Sequence, residues 1–219
     1  VPAPLTNEQI ASFRERVCQV AERQFAERGI ERVSMRSLAE ELGCSATALY
    51  SYFENKEGIF AAARTNGLNH LSERLEKAFA ATDDPWARSR AIGDAYIDFA
   101  TSEPEAYRLV FAMAQPNQQQ YPELAAAEDR AWLNTWRYVD EMVSAGLLVG
   151  DPKVLSHVFW AGMHGLITLQ MAGKLRPDRP GFDTLRHEMM RLITRGASPA
   201  LGAGSDNPNN TNPNKARIV

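Results

Sequence analysis

Ser34-Met35-Arg36-Ser37-Leu38-Ala39-Glu40-Glu41-Leu42-Gly43-Cys44-Ser45-Ala46-Thr47-Ala48-Leu49-Tyr50-Ser51-Tyr52-Phe53-Glu54-Asn55-Lys56 is the stretch that decides the fold. It reads as two short helices and a tight turn. Ser34 can cap the first helix by accepting a free N–H of the opening turn. Leu38, Ala39 and Leu42 make one apolar face. Gly43 stands where that helix must stop, because glycine reaches left-handed backbone angles without a Cβ clash. Ser45 caps a second helix with Leu49 and Phe53 four apart on one side. Ala46, Thr47, Tyr50 and Ser51 are expected on the other. Asn55 caps a third helix that opens at Lys56.

A helix, a glycine turn and a second helix with a small, hydroxylated outer face form a helix-turn-helix, whose second helix can meet base edges in the major groove. Tyr50 and Tyr52 can donate to phosphates. Lys56 lies at a helix N-terminus, where backbone N–H groups attract phosphate. A helix–glycine–helix corner also occurs as simple packing.

Gly43, Cys44-Ser45 and Leu49-Tyr50-x-Tyr52-Phe53-x-Asn55-Lys56-Glu57 resemble the signature of the tetracycline-repressor (TetR) family of transcriptional regulators. Cys44 replaces the usual valine-like residue, and Tyr52 replaces a histidine. The resemblance is specific from Phe13 to Phe60 and rests elsewhere on helical layout. It implies that Ala46 and Thr47 meet bases, that Arg36 reaches a guanine or a phosphate, and that Ser45, Tyr50, Tyr52 and Lys56 hold the DNA backbone. The alternative for Arg36 is a plain surface arginine.

Composition allows one or two globular domains in 219 residues, 44% hydrophobic and 23% charged. A net charge of −3 runs against the usual basic nucleic-acid binder, and the first sixty residues carry seven basic and nine acidic side chains. Binding therefore has to depend on placed charge, helix N-termini and dimerisation. Two cysteines, Cys18 and Cys44, make no disulfide framework, and a reducing cytoplasm is expected. Val1-Pro2-Ala3-Pro4 lacks the pattern of a signal peptide. Residues 154–172, the longest apolar run, hold two histidines, Thr168 and Gln170, which suits a buried helix better than a membrane span.

Upstream, Thr6-x-x-Gln9 is a capping box, and Ile10, Phe13, Val17, Val20 and Phe25 follow at helical spacing to Gly29. Arg14, Arg16 and Arg23 fit a solvated face. Downstream, a long helix from Lys56 to about Ala81 links the two halves. Asp84-Pro85 opens another. Ser102-x-x-Glu105 is expected to be a further capping box. Helices then run from Pro122 to Ala145, from Asp151-Pro152 to Gly173, and from Phe182 to Arg195. No stretch alternates at period two, so no strand is expected. Residues 197–219 are rich in Gly, Pro, Asn and Ser and read as a disordered tail, in which Asn209-Asn210-Thr211 is a chance glycosylation pattern.

The expected fold is all-α. An N-terminal three-helix helix-turn-helix domain (1–55) precedes a helical effector-binding and dimerisation domain (56–196). Ala161, Gly165, Thr168 and Ala172 form a small-residue stripe. With Leu185, Met189 and Leu192 of the last helix it gives a dimer face, unless the stripe packs within one subunit. Trp160-x-x-x-His164-Gly165 resembles the Trp-His-Gly motif of one C-terminal subgroup. Trp86, Tyr96, Phe99, Tyr107, Phe111, Trp132, Trp136 and Met142, with Tyr138 and Met113, are either core or the lining of the effector pocket that the family implies. An aromatic lining suits an apolar or planar ligand.

No cofactor, metal or catalytic constellation is expected. His157 and His164 lack further ligands, and His187-Glu188-Met189-Met190-Arg191 lacks the second histidine of a zinc-protease motif. Phosphate-binding and dinucleotide loops are missing, as is a nucleophile elbow. The reading is a homodimeric regulator on a palindromic double-stranded DNA operator, released by a small effector and not embedded in a membrane. An activator, a helical adaptor without operator recognition, and a helical enzyme remain as alternatives.

Overall fold

The computed structural model describes residues 6–112, 116, 120–176, 178 and 180–199. Met113, most of the 115–120 loop and residues 200–219 of the expected tail lie outside these. Among the described residues all regular structure is helical: α1 Asn7–Arg28, a 3₁₀ turn Ile30–Arg32, α2 Met35–Leu42, α3 Ala46–Tyr50, α4 Lys56–Ala80, α5 Pro85–Ser102, α6 Pro104–Val110, α7 Pro122–Ser144, α8 Pro152–Met171 and α9 Phe182–Gly196. The described helices include none long and apolar enough to cross a membrane.

Local signals set most of these ends. Thr6 and Gln9 form the reciprocal capping box of α1. Asp84 and Asp151 each accept a backbone N–H ahead of a proline in the first turn. The box expected at Ser102 does not form. Ser102 still belongs to α5 and donates to the Asp98 carbonyl at 2.7 Å. Pro104 at the first helical position needs no N–H partner, and Glu103 caps α6 without a side-chain bond.

The chain forms two compact units that divide between Thr135 and Trp136, within α7. In the first, α1, α2, α3 and α4 share one core, with Val17, Leu38, Leu49 and Ile59 fully buried and Leu109 of α6 added to it. The core thus reaches past the expected boundary at residue 55. A polar chain crosses the same helices. His70 of α4 lies 2.8 Å from Glu103, and Arg74 of α4 binds both Glu103 and Asp98. Asn66 of α4 donates to Glu15 of α1 at 2.9 Å. Glu22 of α1 is set into this cluster. In the second unit α9 lies close on α8: a Cβ on Gly162 would stand 2.6 Å from Met189 Sδ. The Val149 N–H donates to the Ala197 carbonyl at 2.8 Å, which anchors the end of α9.

Burial pushes the Glu22 carboxyl up to about 7; Glu15, Glu103 and Glu105 add to the rise and His70 opposes it. Ring burial opposes protonation of His70, but Glu103 outweighs it, so that pKa is raised as well. Both groups hold protons more tightly in the folded chain. Their contribution to stability is complete at acid pH and is lost as pH rises through the folded values. Glu22→Gln should therefore flatten the pH dependence and stabilise the chain at pH 8 by on the order of 2 kcal/mol, read from urea unfolding at pH 5 and pH 8.

Candidate nucleic-acid interface

The helix-turn-helix is built by caps and one glycine. Ser34 and Ser37 exchange side-chain bonds with each other's backbone N–H, both at 3.0 Å, to open α2. Gly43 closes it at φ 68° in the left-handed region. The Gly43 N–H donates to Glu40 at 3.2 Å and the Cys44 N–H to Ala39 at 3.0 Å, a Schellman turn. Ser45 then accepts the Ala48 N–H at 3.1 Å and starts α3.

α3 is shorter than expected. It ends at Tyr50, and Tyr52 bonds to Leu49 at 3.0 Å in a tightened turn. Phe53 is off the helix but still buried, because its N–H also returns to Leu49. Thr47 and Ser51 are exposed, and Tyr50 is 56% exposed, so these three form the outward row. Ala46 is not on it. It lies three residues before Leu49 and is half-buried on the same core. Tyr52 is also turned in: its ring packs on Phe13 with centroids 4.7 Å apart. Ser45 and Arg36 are exposed. The Lys56 ammonium donates to the Ile30 carbonyl at 2.6 Å, and Asn55 caps the first turn of α4 by accepting the Gly58 N–H at 2.9 Å.

Arg14 is no solvated arginine. It stacks over the Phe53 ring at 4.3 Å and donates to the Tyr52 carbonyl at 2.6 Å, which fixes the segment after α3. Gln24, 2% exposed, binds the Ser37 carbonyl at 3.2 Å and Glu41, and Arg23 also pairs with Glu41. Together they latch α1 to α2. Gln24 stands seven residues after buried Val17 on one face, the one sequence signal for it. Beside α3 an open groove of about 570 Å³ runs along Ser12 and Arg16 of α1, with Cys44 and Ala48 opposite. Cys18 is buried, which pushes its thiol up to about 12 and keeps it protonated.

The other expected residues fall as follows. Tyr96, Phe99, Tyr107 and Phe111 come together in one aromatic cluster, with Tyr107 and Phe111 centroids 4.8 Å apart. The Tyr96 and Tyr107 hydroxyls lie 3.5 Å apart. Trp86 and Trp132 are half-buried in the same unit. Trp136, under Lys153, and buried Met142 belong to the second unit. Ala161, Gly165, Thr168 and Ala172 are all exposed, as is Leu192, while Leu185 and Met189 are half-buried. The glycine that meets α9 within the chain is Gly162.

Two family models match the chain. "Bacterial regulatory proteins, tetR family" covers residues 18–63, the helix-turn-helix and its support. "Tetracyclin repressor-like, C-terminal domain" covers residues 89–193. The chain belongs to the TetR family. Its relatives include the HTH-type transcriptional activator FasR of Mycolicibacterium smegmatis, 30% identical over 87 residues, 40% of each chain. The HTH-type transcriptional repressor KstR2 of the same species is 30% identical over 83 residues, 38% of this chain and 40% of that one. The matches thus span about two fifths of these curated relatives. The TetR family regulator PfmR of Thermus thermophilus shares the fold, with a TM-score of 0.66 at 24% identity over 82% of this chain and 97% of that one.

Since a left-handed angle costs a residue with a Cβ about 1–2 kcal/mol, Gly43→Ala should lower stability by about 1 kcal/mol, measured by urea unfolding.

Proposed function

We propose that this TetR-family chain is a cytoplasmic, dimeric transcriptional regulator that binds a palindromic operator and is released from it by a small apolar or aromatic effector. The observation that carries this is the outward row of α3. Thr47 and Tyr50 stand clear of the core, on a helix whose start is fixed by Gly43 and Ser45. Thr47 is small enough to approach base edges, while Ser45, Tyr50 and Arg36 reach for the backbone or a guanine. Ala46, half-buried, presents only its edge to DNA. Tyr52 and Lys56 act through the backbone they position.

The exposed stripe of α8 and Leu192 of α9 support the dimer. Val154, Val158, Leu169 and Leu192 are 45–59% exposed, a large apolar display for a single chain. A two-fold axis there would double the recognition helix and match an operator of the same symmetry. The aromatic cluster around Tyr96 and Tyr107 supports an apolar effector with one polar anchor. Such an effector releases DNA only if it binds the released state better. The curated relatives include an activator and a repressor, and repression is the sign proposed here.

Tyr50→Ala tests the placement of α3. The side chain is exposed, so the melting temperature should hold. Operator affinity should fall about ten- to hundredfold in a salt-controlled mobility-shift titration, the loss of about 1–3 kcal/mol of contact. Unchanged affinity would mean that α3 is not the reading helix.

A further inference from the structure

A second concavity in the first unit is left unused by this reading. It lies between the end of α1 with its 3₁₀ turn and the end of α6, a half-open hollow of about 510 Å³, a volume in the range of small-molecule sites. Phe25, Ile30, Phe60 and Leu109 give it apolar walls. Phe25 and Phe60 meet edge to face at 5.3 Å and are 4% and 2% exposed, so this floor is part of the packed core.

The charge on the same cavity is one-sided. Arg28, Arg32 and Arg108 line it, against Glu31 alone. All three arginines are exposed, and none is ion-paired with a described residue. The Lys56 ammonium on the Ile30 carbonyl adds a further positive charge. Guanidinium groups present planar forks of donors that fit carboxylate and phosphate oxygens. An aromatic floor with three such groups on its walls suits a ligand with an apolar body and one anionic head.

We propose that this cavity binds a small amphiphilic anion, an alkyl or aryl body bearing a carboxylate or phosphate. The body lies on Phe25 and Phe60, and the head is held by Arg108 together with Arg28 or Arg32. One wall belongs to α6 and the other to the helix that braces the helix-turn-helix, so the ligand ties α6 to that domain and biases its setting on α4. The effect on transcription rests on the operator reading above; the binding itself does not.

Calorimetric titration of the full chain with decanoate and with decyl phosphate, below their micelle concentrations, tests this. Decanol and inorganic phosphate are the probes that lack the head and the tail. One anion should bind at one equivalent, at least tenfold tighter than either control, and the better one identifies the head group. The double variant Arg32→Gln/Arg108→Gln should weaken binding at least tenfold with an unchanged melting temperature. Ala112→Trp, which fills the cavity without changing charge, should weaken it as well. No binding, equal binding of decanol, or binding that survives both variants overturns the proposal. Operator retention is measured separately: a chain that binds the anion but no duplex sinks the operator reading and leaves this one standing.

Discussion

Between α2 and α3 the chain turns a corner within three residues, and the turn depends on the left-handed backbone of Gly43. That angle lets the Gly43 and Cys44 N–H groups return to α2, so its last carbonyls are satisfied. It also places Ser45 where its hydroxyl can open α3. Leu49 then drops into the shared core, and Thr47 and Tyr50 are left outside it. A change at Gly43 would alter the angle of α3, the helix proposed to face DNA, and with it every outward contact. Arg14 holds the other end of this segment through Phe53 and the Tyr52 carbonyl. α3 is thus pinned at both ends.

The same core joins the helix-turn-helix to the rest of the first unit. α4 supplies Ile59 and Phe60 to the helix-turn-helix and Leu68, Leu71 and Leu75 further on. α6 packs against both α1 and α4, closely enough that a Cβ on Gly67 would meet Val110 at 2.9 Å. Packed interiors respond to such shifts in discrete steps. The His70–Glu103–Arg74 cluster adds a polar link between α4 and the α5–α6 corner, with Glu22 of α1 coupled to it electrostatically. A shift of α6 would therefore reach α1 and the helix-turn-helix through contacts already in place.

The parts legible in the sequence are those governed by near neighbours. Thr6, Ser34, Ser45, Asn55, Asp84 and Asp151 all cap as their residue types require. Gly43 stops α2, and the all-helical fold follows from the spacing of apolar residues. The Ser102 box misled because the local rule ignores Pro104, which opens α6 on its own. Ala46 leans toward the core because α3 is one short turn and its i, i+3 pair with Leu49 sets the face. Arg14 on Phe53, Gln24 on Ser37 and Lys56 on Ile30 join residues 13–39 positions apart, and no periodicity encodes them. The exposed small stripe of α8 was legible as a stripe. Its outward direction follows only from Gly162 being the residue that meets α9.

The central claim is that two copies of the Gly43-fixed helix read a symmetric DNA site. It is tested most directly by selecting bound duplexes from a random pool with the purified chain at moderate salt. The account predicts enrichment of one palindromic sequence, with two half-sites about one or more helical turns apart, and affinity that falls as salt rises. Recovery of no preferred sequence, by protein shown to be folded and free of bound ligand, would contradict it.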